Sequence, residues 1–140
     1  MNNSNIQDDN ITDVSNEAIL YLTGYTTSGK ALIGGVWTLR DQEGFPLEMS
    51  HVVAQGSDCV IDWAEAMADA SISNRCPSLM QQIESFLPAD TISHLKMGFM
   101  HNVRSGKTFE EIVSEKRANG KKVDSFVQAV AVKLSESARV

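Results

Sequence analysis

The hydrophobic pattern of this chain changes period at Gly56, and that change limits the fold more than any other feature of the sequence. Before it, short runs rich in β-formers alternate with turn residues; after it, apolar residues recur at spacings of three and four. The first half therefore predicts strands and the second half helices, and the expected class is α+β. AILYLTGY (residues 18–25) and ALIGGVWTLR (31–40) flank the turn TTSGK and read as a hairpin. DQEGFP turns the chain again before LEMSHVVAQG (47–56), which completes a three-stranded antiparallel meander. Gly34 and Gly35 interrupt its second strand, which calls for a close backbone crossing or a β-bulge at that point.

The second half supplies four or so helices. Ser57 or Asp58 caps one through about Ser71, with Val60, Trp63, Ala64, Met67 and Ala70 on its apolar side and Asp62, Glu65 and Asp69 on the opposite, solvent-facing side. Pro77 and Ser78 open a helix that Pro88 stops, and Asp90 or Thr91 caps another running towards Asn102. Thr108 and Glu111 have the spacing of a capping box, for a helix ending near Asn119 and Gly120. Asp124 starts the last, with an apolar stripe of Phe126, Val127, Val130, Ala131 and Leu134.

A chain of 140 residues fits one domain. Residues 1–16 carry only Ile6, Ile11 and Val14 after Met1 among Asn, Asp and Ser, and read as a flexible tail ahead of a single domain over 17–140. No apolar run approaches the roughly 18 residues that span a bilayer, and the N-terminus lacks a secretion pattern, so the expected address is cytoplasmic, away from membranes. Cys59 and Cys76 form no paired motif, and His51, His94 and His101 share no ligand spacing, so no resident metal or cofactor is expected.

Charge is distributed unevenly. Residues 1–90 hold three basic against 13 acidic side chains, and residues 91–140 hold nine against five, within a net charge of −6. Such asymmetry favours head-to-tail self-association, or a basic surface offered to an anionic partner. Arg104 and Lys107 flank the helix start at Thr108, where a phosphate-bearing ligand could meet free N–H groups, while Lys116, Arg117, Lys121 and Lys122 surround the Asn119-Gly120 turn. Ser105-Gly106-Lys107-Thr108 is not a nucleotide-binding loop, because His101 stands where such a loop needs glycine. Phe109 and Phe126 are too few for a stacking platform, so nucleic acid is weakly argued.

LYLTGYTTSGKALIGGVWTLRDQEGFPLEM, followed by WAEAMADA, resembles the first half of ribonuclease H-like domains over about residues 19–70. The resemblance implies metal-dependent cleavage of RNA in a hybrid duplex, with carboxylates holding Mg²⁺ ions. It places Glu65 as the first-helix glutamate and Asp90 as the aspartate that closes the fourth strand. The first-strand aspartate falls at Gly24, which offers no ligand. Without the resemblance, Glu65 is a wet helix residue and Asp90 a cap.

The reading that best fits these features is a non-enzymatic binding or regulatory protein. It self-associates as a homo-oligomer and engages a protein partner or anionic ligand through its sheet or its basic C-terminal helices. The alternatives are a divergent, ribonuclease H-like nucleic-acid-binding protein and a small-molecule sequestering protein.

Overall fold

The computed structural model of the chain describes residues 20–138, so the expected tail over 1–16 lies outside the described residues. The described elements run β1 (Tyr21–Tyr25), β2 (Ala31–Gly34), α1 (Val36–Glu43), α2 (Leu47–Gly56), β3 (Cys59–Ile61), α3 (Trp63–Ile72), α4 (Cys76–Glu84), α5 (Ala89–Arg104), α6 (Phe109–Asn119) and α7 (Asp124–Ala138). The class is α+β, but the change of period at Gly56 does not divide it, since α1 and α2 precede that residue and β3 follows it, and the sheet is mixed. β1 pairs antiparallel with β2, whereas β3 runs parallel to β2.

Two expected strand segments are helices. β2 stops at Gly34, VWTLRDQE forms α1, and LEMSHVVAQG forms α2, so the described chain has seven helices rather than four or so. Glycine explains the first correction: Gly35 takes a left-handed φ of 91° as the N-cap of α1, and Gly44 closes it at φ 72°. In α2 the buried Leu47, Ser50, Val53 and Ala54 fall on one helical face. A short parallel β3 then takes the sheet position expected of residues 47–56, and Asp62, not Ser57 or Asp58, caps the following helix.

The α3 helix is the axis of the domain, touched by α1, α4, α5, α6 and β2. Its fully buried face joins Trp63, Ala66, Met67 and Ala70 to a core that includes Leu39, Leu79, Ile83 and Phe126. Thr108 caps α6 by accepting the Glu111 N–H at 3.1 Å, as the capping spacing requires. Phe126, Val127 and Val130 are buried, in keeping with the stripe read along α7.

The outer edge of β1 is closed by the segment between α6 and α7. The Leu22 N–H donates to the Lys121 carbonyl at 2.6 Å, and Tyr21 bridges Lys122. Two glycines make room for the Tyr21 ring: a Cβ on Gly34 would meet its Cζ at 2.8 Å, and one on Gly120 would meet its Cδ2 at 2.6 Å and the Leu22 carbonyl oxygen at 2.5 Å. The close crossing required at Gly34 is thus a side chain of the neighbouring strand, and the sheet's irregularity lies between Leu22 and Gly24.

Gly120→Ala is expected to lower unfolding free energy in urea by about 1–3 kcal/mol, because backbone atoms cannot yield as a flexible side chain would. Gly56→Ala meets open space at the end of α2 and is expected to be neutral or stabilising by up to about 1 kcal/mol. Equal effects at both positions would contradict this packing.

Candidate functional site

Two places concentrate polar chemistry. The first is a buried network between α3, α6 and the sheet. Glu65 is completely buried, not on a wet face, and its carboxylate accepts the Tyr21 hydroxyl at 2.7 Å and the Gly35 N–H at 3.0 Å. One turn earlier, Asp62 caps α3 by accepting the Glu65 N–H at 3.1 Å and meets Lys116 at 2.7 Å. One turn later, Asp69 accepts from Thr38 at 2.8 Å and pairs with Arg117 at 3.2 Å.

Burial pushes the Glu65 carboxyl up from an ordinary 4.5 to about 7; the two donors pull it back, and the nearby charges of Asp69 and Asp62 add to the rise. Burial, followed by the adjacent Glu65, pushes the Tyr21 hydroxyl far above its usual range, so it remains a neutral donor. Glu65 has no exposed surface from which to meet a substrate. The network joins elements together; it is not an open reaction centre.

The candidate site residues of the sequence are distributed accordingly. Lys116 and Arg117 face inward to Asp62 and Asp69, and Lys107 pairs with Glu115 at 3.0 Å. Lys121 and Lys122 close the β1 edge through their backbone. Arg104 ends α5, but its side chain lies outside the described residues. Asp90 is exposed in the first turn of α5, on a different helix from Asp62 and Glu65. Among the described residues, no three His, Cys, Asp or Glu side chains converge into a group that could hold a metal.

The second place is a cleft of about 490 Å³ that the sequence reading missed. Its floor is β3 and Trp63; one wall is the face of α2 bearing His51, Ala54 and Gln55; the other is the corner of Leu87, Pro88 and Thr91 that leads into α5, and Lys30 stands at its margin. The walls are braced by Phe86, whose ring centre lies 5.4 Å from His51 and 5.9 Å from Trp63. The Cys59 thiol donates to the Ser57 carbonyl at 3.3 Å, and burial with the nearby Asp58 pushes its pKa up, the opposite of an activated nucleophile. The cleft offers apolar surface with a few hydrogen-bonding groups and one cation, which suits binding. Its residues come from four stretches of the chain, and their one sequence signal was a histidine at helical spacing from Ala54 and Gln55.

Comparison with family models, with curated proteins and with solved structures finds no match to this chain.

The Glu65 environment sets a pH dependence. Its folded pKa lies above its unfolded one, so the folded state holds more protons between about pH 4.5 and 7. This contribution to stability is fully present below that window and is lost as pH rises through it, an effect on the order of 3 kcal/mol. Glu65→Gln, whose amide can accept from Gly35 and donate to Tyr21, is expected to remove it. Urea unfolding of both proteins at pH 5 and pH 8 measures the difference: the wild type should lose stability relative to the variant at pH 8. Parallel profiles would refute the assignment.

Proposed function

We propose that this is a non-enzymatic binding protein that takes its ligand in the cleft along β3. The observation that carries this reading is the cleft itself. Its volume lies in the range usual for ligand sites, its lining is mixed, and its walls come from elements fixed by the core. Two further points support it. Glu65 is enclosed and Cys59 is not activated, so neither stands ready for catalysis. Lys107, Lys116 and Arg117 spend their charge on carboxylates of the same chain, which favours the sheet over the basic helices as the place of engagement.

Anilinonaphthalene sulfonate, an aromatic anion, is a suitable probe for a cleft with Trp63 in its floor and Lys30 at its margin. A fluorescence titration should show one saturable site. Thr91→Trp, which fills the cleft, should abolish binding, and Lys30→Glu should weaken it about fivefold, the weight of one exposed charge contact. Met97→Lys, on an exposed apolar position of α5 away from the cleft, should leave binding unchanged. Loss of binding in Met97→Lys with retention in Thr91→Trp would remove the cleft from consideration.

A further inference from the structure

The parallel ladder fixes which way the backbone groups of β3 point. The Asp62 N–H donates to the Ile33 carbonyl at 2.8 Å, and Ile33 is aligned with Ile61, Leu32 with Val60 and Ala31 with Cys59. In a parallel pair each strand turns only alternate residues to a given neighbour. Val60 and Asp62 therefore bond to β2, while the N–H and C=O of Cys59 and Ile61 point the other way, along the sheet's outer edge. Both residues line the cleft. The opposite edge, on β1, is already closed at Lys121 and Lys122.

We infer that the occupant of the cleft is an extended peptide segment of a partner protein, carrying a carboxylate, that adds to β3 as a fourth strand. The inference rests on the cleft being the binding site. The edge groups of Cys59 and Ile61 supply main-chain hydrogen bonds, and Trp63 and Leu87, largely buried in the lining, make the adjoining surface apolar. Charge complementarity selects an acidic segment. Among the described residues of the lining, Lys30 is the one formally charged side chain, and it stands beside Ala31, the partner of Cys59. Its contact within the chain is a solvent-exposed pair with Asp58 at 3.4 Å, which an incoming carboxylate can displace at small cost.

The test uses the full chain and a set of acetylated tetrapeptides. Each ends in glutamate, with valine, leucine, phenylalanine or threonine in every combination at the other positions. Binding is followed by amide hydrogen exchange and by displacement of anilinonaphthalene sulfonate. The expected result is displacement by a subset of peptides, with exchange at the Ile61 and Cys59 amides slowed about tenfold or more. N-methylation should abolish binding at peptide positions whose N–H faces β3 and be tolerated at the alternate positions. Binding that ignores the methylation pattern would overturn strand addition and leave a cleft read by side chains alone. Displacement by none of the peptides, with the dye still bound in the cleft, would also overturn it while sparing the cleft as a site. A light-scattering mass of two chains that falls to one in Lys30→Glu would assign the edge to a second copy and overturn the partner peptide. Failure of the dye itself to bind would end both readings.

Discussion

The burial of the Glu65 carboxylate beneath Tyr21 and Gly35 is the constraint on which the rest of the arrangement depends. A carboxylate taken out of water without partners is costly, so its position is tolerable only where donors are fixed around it. One donor comes from β1 and the other from the first turn before α1. To aim its N–H at Glu65, the chain must leave the ladder directly after Gly34, and a left-handed Gly35 makes that exit without Cβ strain. The end of β2 and the start of α1 are thus set by one side chain on a helix thirty positions later.

The same network changes the meaning of the charge asymmetry. Asp62 and Asp69 belong to the acidic part of the chain and Lys116 and Arg117 to the basic part, and they meet where α3 packs on α6. Part of what reads as two-ended surface charge is consumed in joining the two halves. Asp62 is nearly buried and Lys116 about one third exposed, so this contact lies between a surface pair and a core pair in cost. Removing one partner would leave the other short of compensation, a larger effect than an exposed contact would give.

Much of the helical half was legible because its signals are local. Thr108 and Glu111 cap as their spacing requires, Pro77 sits at the start of α4, and Phe126, Val127 and Val130 bury one face of α7. The strand assignments failed over 36–56 because Val36, Trp37, Leu39, Val52 and Val53 are β-formers or apolar residues in runs too short for periodicity to decide. The signals that could have corrected them were Gly35 and Gly44, which bracket a helix as readily as a turn, and the spacing of Leu47, Ser50 and Val53–Ala54. Glu65 was misread as wet because an acid stripe looks the same whether it faces solvent or a basic helix. The cleft had no local signature, since its lining is assembled from segments far apart in sequence.

An open edge strand is ordinarily a hazard, because unpaired backbone groups accept any extended chain. β3 manages this by length and enclosure. It has three residues, too few to template a long pairing, and it lies at the bottom of a cleft between α2 and the Leu87–Pro88 corner. Pro88 itself can donate no main-chain hydrogen bond from that wall, and its carbonyl already accepts the Ile92 N–H at 3.1 Å. Short and enclosed, the edge is a poor template for sheet-to-sheet pairing. Because Trp63, which floors the cleft, is the first residue of the helix that Asp62 caps and Glu65 anchors, the geometry of this edge is held by the same carboxylates that hold the core. A ligand entering the cleft would meet a wall already positioned, with little ordering left to oppose binding.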